Sequence, residues 1–329
     1  MTADDVTSPS APPTRSVSHR WWAPGGVARG LRRRWRWVAG ALLAVVILVW
    51  ALAPALRAVS LVAGSQHRTS PDAATAGLPV QDVAFTATDG VRLAGWLALA
   101  SPQAPTIILL HGFKGSRVDM LPWARFLFAA GYNVLLFDDR GCGQSADWQI
   151  TLGAREPDDV IGAVRYLQLR ADLKVKRFGA LGISLGAGVA LLAAAREPGL
   201  LATVADSPWA TEDDQLARMA TLPLGHFALP ALPYEPALVD TLIGARLANA
   251  RPVAVIGQIA PRAVFLIHAA DDANATTTTA DERALYAAAR QPKAEWIVPH
   301  GGHVGALRTY PAEYQRRVLA FFAQYLGQP

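Results

Sequence analysis

The chain has 329 residues, 52% of them apolar and 17% charged, with a mean hydropathy of +0.21. That excludes a disordered chain, which is poor in apolar residues, and it lies on the apolar side for a purely soluble enzyme. The net charge of +5 is carried by residues 1–37, where seven Arg face only Asp4 and Asp5, so the neutral remainder gives no electrostatic case for binding nucleic acid.

Residues 1–20 are rich in Ser, Thr and Pro and read as a disordered tail, continued to residue 37 by a basic run. Val38 to Leu56 then gives 19 residues without a charge. As a helix these span about 28 Å, close to the hydrocarbon thickness of a bilayer. Trp35 and Trp37 stand where an interfacial aromatic belt belongs. Arg29, Arg32, Arg33, Arg34 and Arg36 precede the apolar run, against Arg57 and Arg68 after it. This asymmetry puts the N-terminus in the cytoplasm and everything after residue 57 outside it. A cleaved signal peptide is the alternative, with Ala51-Leu-Ala53 as its site. Pro54 and the long leading tail speak against cleavage. The expectation is a single-pass helix over 38–56 in a bacterial plasma membrane, the source suggested by 27 Arg against 4 Lys. A linker over 57–79 follows, rich in Ser, Thr, Pro, Ala and Gly from Gly64 on.

From residue 80 the pattern alternates. Val80–Thr86 and Val91–Leu99 are strand-like, joined by the turn signal Asp89-Gly90. Residues 105–110 and Tyr132–Phe137 read as buried strands, with an amphipathic helix at 117–130 between them. A helix at 157–169, strand Phe178–Ile183, helix Leu185–Ala195 and strand Leu201–Val204 come next. Residues 208–258 are Pro-rich and break the rhythm. It resumes with strand Ala263–Ile267, a helix at 280–290, strand Ala294–Val298 and a terminal helix at 311–326. Such alternation predicts an α/β domain, a mostly parallel sheet covered on both faces, with 208–258 inserted over one end. Met219, Leu222, Leu224, Phe227, Leu229, Leu232 and Tyr234 make that insertion an apolar cap. It serves an acyl or aromatic substrate or simply packs on the core.

Gly182-Ile-Ser184-Leu-Gly186 falls between a predicted strand and a predicted helix. A sharp strand-to-helix turn lifts the Ser oxygen off the sheet, and the flanking glycines let the turn close. Otherwise the Ser merely caps the helix. His111-Gly-Phe113-Lys-Gly115 ends an earlier strand. Such a loop can offer the second oxyanion donor, so the amides of Phe113 and Leu185 are the candidate oxyanion hole. It does not fit a phosphate-binding loop. Ile267-His-Ala-Ala-Asp271-Asp272 and Val298-Pro-His300-Gly-Gly-His303 end the last two strands, in the order acid then histidine. A His held by a carboxylate can take the Ser proton, and His303 fits that role better than His300. A metal pair of His300 and His303 lacks supporting ligands.

Together, His111-Gly-Phe113, the run Phe137 to Ser145, Gly182 to Gly186, Ile267 to Asp272 and Gly302-His303 resemble an α/β-hydrolase over residues 80–329. The resemblance is closest to bacterial serine hydrolases of the lipase-like and aminopeptidase-like group. It implies Ser184 as nucleophile, Asp272 as acid and His303 as base. The family's H-G-x-x-D pattern lands on Asp272, but Ala269 replaces its Gly, so Asp271 stays as the alternative acid. It implies hydrolysis of an ester, thioester or amide through an acyl-enzyme, with no metal or organic cofactor. The expected partners are a small acyl or lipid-like substrate and, through the helix, a membrane. Peptidase and acyltransferase activity share the fold, and a non-catalytic binding scaffold is the alternative of another class. The Arg140–Ser145 run reads as structural, and its Cys142, the one cysteine, is not needed as a nucleophile.

Overall fold

Apolar runs bounded by turn residues form one eight-stranded sheet in the computed structural model, which describes residues 25–66, 76–211, 222–224, 227–229 and 235–329. Its strands are β1 (Val80–Thr86), β2 (Arg92–Ala98), β3 (Thr106–Leu110), β4 (Asn133–Phe137), β5 (Phe178–Ile183), β6 (Leu200–Asp206), β7 (Ala263–Ala269) and β8 (Lys293–Val298). Their spatial order is β8-β7-β6-β5-β3-β4-β2-β1. β1 with β2 and β2 with β4 are antiparallel, and the other neighbours are parallel. Every residue of β3, β4, β5 and β7 is buried, which is why these read as unbroken apolar runs. The pairings Leu110 with Gly182, Ile183 with Asp206 and Asp206 with Ile267 bring the C-terminal ends of four strands to one edge.

The longer helices among the described residues are α1 (Gly25–Val62), α2 (Leu121–Ala129), α3 (Glu156–Leu169), α4 (Leu185–Arg196), α5 (Glu235–Ile243), α6 (Thr279–Ala288) and α7 (Pro311–Leu326). One hydrophobic core joins α3, α4 and α6 to the sheet through Val160, Val164, Leu191 and Leu285. A second joins α2 and α7 to the sheet through Leu127, Val318 and Phe322. Side chains alternate across a strand, so Val264 and Leu266 enter the first core while Phe265 and Ile267 enter the second. The helix predicted at 117–130 opens as a 3-10 turn, Arg117–Met120, before α2.

The chain divides into two units, residues 1–52 and 53–329. In the first, α1 is exposed and apolar from Val38 on. The helix over Arg32–Val62, in which 18 consecutive residues reach a mean hydropathy of 2.5, is long and apolar enough to cross a membrane. In the second, α1 continues six residues past the apolar run, so the expected linker begins as helix. Ala58, Leu61 and Val62 are buried there with Cys142, Ile150 and Val239, which supplies the reason. Ser65–Gln66 then pairs parallel with Cys142–Gly143. Residues 1–24 of the expected tail and linker residues 67–75 lie outside the described residues, whereas 25–37, expected to be disordered, form the first turns of α1.

In the insertion, Leu222–Leu224 pairs antiparallel with Phe227–Leu229, followed by α5 and the short helix Pro252–Val255. Met219, Leu232 and Tyr234 of the expected cap lie outside the described residues.

Candidate active site

Ser184 stands alone between β5 and α4, at φ 53° and ψ −119°. A residue with a Cβ meets strain there, of order 1–3 kcal/mol. Its neighbours make the turn possible. A Cβ on Gly182 would lie 2.1 Å from the Gly186 carbonyl oxygen, and one on Gly186 would lie 2.4 Å from that of His111. Both positions therefore demand glycine, and the Ser hydroxyl is held clear of the sheet edge.

His303 arrives from the loop after β8, where Gly301 and Gly302 carry positive φ values of 156° and 64°. Its Nε2 lies 2.9 Å from Ser184 Oγ, and its Nδ1 lies 2.9 Å from Asp272 Oδ2. Asp272 follows β7, and its other oxygen accepts the Asn274 N–H at 2.8 Å. With Nδ1–H donated to the carboxylate, Nε2 presents a lone pair to the Ser hydroxyl. Burial pushes the Asp272 pKa up, but the hydrogen bonds from His303 and Asn274 and the electrostatic pull of the nearby imidazoles outweigh it, leaving Asp272 below the usual carboxylate value. The line Asp272–His303–Ser184 can thus draw a proton from the hydroxyl and hold the resulting imidazolium.

Asp271, the alternative acid, is turned away. Its Oδ1 accepts the Gly302 N–H at 2.9 Å, and its Oδ2 lies 3.6 Å from Nδ1 of the exposed His300. Its side chain is 45% exposed, whereas that of Asp272 is fully buried.

The loop after β3 lies against Ser184: a Cβ on Gly112 would be 3.4 Å from the Ser184 Cβ. His111 fixes the start of this loop. Its Nδ1 donates to the Gly112 carbonyl at 2.8 Å and its Nε2 accepts the Asp139 N–H at 3.0 Å. Burial lowers the His111 pKa, keeping the ring neutral for both bonds. The next residue is Phe113, and Leu185 opens α4 directly after Ser184. Among the described residues, neither of their backbone N–H groups donates to a protein acceptor. One of these donors follows Gly112, which packs on the nucleophile, and the other opens the helix after it, so both are candidates to receive a developing oxyanion.

The Arg140–Ser145 run braces this edge. The buried Arg140 guanidinium pairs with Asp159 at 2.6 Å and Asp89 at 2.7 Å, and Ser145 Oγ donates to the Asp138 carbonyl at 2.5 Å. Burial pushes the Cys142 thiol up to about 12, so it holds no thiolate at neutral pH.

Several residues near the site carried no sequence signal. Thr277 Oγ1 lies 3.1 Å from His303 Nδ1, yet it is one of four consecutive threonines. Ser207, at φ 56°, accepts the Val304 N–H at 3.1 Å and donates to Asp206 Oδ1 at 3.1 Å. Asp206 Oδ2 accepts from Tyr314, whose hydroxyl accepts from Trp123 Nε1, each at 2.9 Å. The buried His268 Nε2 lies 3.5 Å from Asp272 Oδ2.

Comparison with known proteins agrees with this architecture. A family model described as the alpha/beta hydrolase fold matches residues 105–249. The chain belongs to the α/β-hydrolase family. It is 30% identical over 234 residues to the uncharacterised protein YqkD of Bacillus subtilis, covering 70% of this chain and 75% of YqkD. It is 28% identical over 260 residues to the uncharacterised protein YfhR of Salmonella typhimurium, covering 74% and 81%. Among solved structures, the Pyrococcus furiosus esterase Pf2001 superposes with a TM-score of 0.65 at 27% identity, covering 80% of this chain and all of that one.

Proposed function

We propose that the chain is a serine hydrolase that cleaves a carboxylic ester through an acyl-enzyme. The observation that carries this reading is the unbroken line of two 2.9 Å contacts from Asp272 through His303 to Ser184. Ser184 Oγ attacks the carbonyl carbon as His303 Nε2 takes its proton. Asp272 keeps Nδ1 protonated and steadies the imidazolium. The N–H groups of Phe113 and Leu185 receive the oxyanion, a contribution of about 3 kcal/mol per donor in related chemistry. His303 then protonates the departing alcohol. Water, deprotonated by the same ring, attacks the acyl group and frees Ser184. No step in this scheme calls on a metal or organic cofactor. An esterase among the structural relatives supports an ester substrate, and a thioester or amide is the alternative acyl bond. The apolar α1 supports a single-pass plasma-membrane anchor with a cytoplasmic N-terminus, and the apolar insertion supports an acyl or lipid-like substrate.

A panel of p-nitrophenyl esters of rising chain length, run beside thioesters and aminoacyl anilides, tests the reaction class. We expect turnover of the esters and its loss in Ser184→Ala. Turnover of anilides alone identifies a peptidase instead, and transfer to an added alcohol in preference to water identifies an acyltransferase.

A further inference from the structure

The segment that follows the apolar run is built into the rim of the site. Arg57 Nε reaches the buried Glu235 carboxylate of α5 at 3.3 Å. Ala58, Leu61 and Val62 seal the cluster that holds Cys142, Ile150 and Val239. The Ser60 carbonyl accepts Lys114 Nζ at 2.6 Å, and Ser65 Oγ donates to the Gly115 carbonyl at 3.4 Å. Gly64 N–H donates to the Trp148 carbonyl at 2.9 Å, and Ile150 N–H donates to that of Val62 at 2.9 Å. A Cβ on Gly64 would come 1.9 Å from the Gly141 oxygen, so segment and loop meet backbone to backbone. Ten residues therefore touch three elements: the loop after β3, the loop over 141–150 and α5.

The first of these is decisive. Lys114 and Gly115 directly follow Phe113, and Lys114 holds a left-handed φ of 52°. A left-handed non-glycine residue persists only where its surroundings fix it. On one side His111 and Gly112 fix this loop from the core. On the other, its bonds to Ser60 and Ser65 fix it from the segment after the apolar run.

We propose that residues 57–66 are a positioning element of the active site, clamping loop 112–115 so that the Phe113 N–H stays beside Ser184. This rests on the serine-hydrolase reading above. The segment then does more than tether the domain, because its seating sets the geometry of the oxyanion donor.

The test uses the full-length chain in detergent micelles. Lys114→Met removes the bond to Ser60, Lys114→Arg keeps a donor of similar reach, and Gly64→Val drives the segment off residue 141. For a short p-nitrophenyl ester we expect kcat to fall about tenfold or more in Lys114→Met and Gly64→Val, with KM within about twofold. Fluorophosphonate labelling of Ser184 slows in step, because phosphonylation uses the same donor. Lys114→Arg retains most of kcat. A stabilising but catalytically idle contact moves the melting temperature and leaves kcat alone. Wild-type kcat in Lys114→Met overturns the proposal, as does an Arg variant no better than the Met variant. If Gly64→Val fails to fold, the two Lys114 variants decide. If wild type itself is neither labelled at Ser184 nor active on esters, the hydrolase reading fails instead.

Discussion

Two adjacent aspartates after β7 take opposite directions, and the cause is local. The Asp272 carboxylate is turned inward, where it accepts the Asn274 N–H and meets His303. Asp271 points outward to Gly302 and His300. Sequence alone left the two open, because which neighbour turns inward depends on a loop whose family Gly is Ala269 here. Asp272→Asn leaves the shape but removes the acceptor for Nδ1–H. We expect kcat/KM to fall about 10³- to 10⁴-fold in steady-state assays. Asp271→Asn, at an exposed site, stays within about threefold. Equal losses in both variants contradict the geometry. The single thiol gives a second check. Cys142 is buried and its pKa is pushed up to about 12, so the folded chain resists iodoacetamide at pH 7.5 and reacts only after denaturation.

At the scale of elements, the end of β6 ties the His303 loop to α2 and α7. Ser207 accepts from Val304, while Asp206 accepts from Tyr314 and Tyr314 from Trp123. Burial lifts Asp206 to about 6 against the pull of its Tyr314 and Ser207 hydrogen bonds. The folded state thus keeps a proton that the unfolded chain releases near pH 4. Stability from this group is full below about pH 4 and is lost as the pH rises through about 6, a change of roughly 3 kcal/mol. Denaturant unfolding of wild type and Asp206→Asn should show a stability difference that shifts toward the variant across this window. A difference independent of pH contradicts a raised Asp206. The strands themselves were legible, since fully buried strands leave unbroken apolar runs bounded by turn residues. The network was not, because Trp123 and Tyr314 are 191 positions apart and only the fold brings them together. The fate of residues 57–66 was hidden for a related reason. Arg57 ends the apolar run, yet Ala58, Leu61 and Val62 find a buried cluster no local pattern announces.

For the whole molecule, charge and hydropathy divide the labour. The surplus of positive charge lies in residues 1–37, ahead of the apolar run, and residues 38–329 are neutral overall. The expected topology puts that domain outside the cytoplasm, so an alkaline phosphatase fused to the C-terminus is active in intact bacteria. A silent fusion beside a fluorescent cytoplasmic reporter reverses the orientation. The motifs at strand ends were legible because the chemistry demands them there: glycines where a Cβ collides with backbone, an acid and a histidine after later strands. Their meeting at 2.9 Å was a matter of tertiary structure. The most direct measurement of the central claim is mass spectrometry of the full-length protein after a fluorophosphonate probe. Covalent modification should map to Ser184, vanish in Ser184→Ala and slow sharply in His303→Ala. Labelling that persists in Ser184→Ala, or that never occurs in folded wild type, contradicts Ser184 as an activated nucleophile.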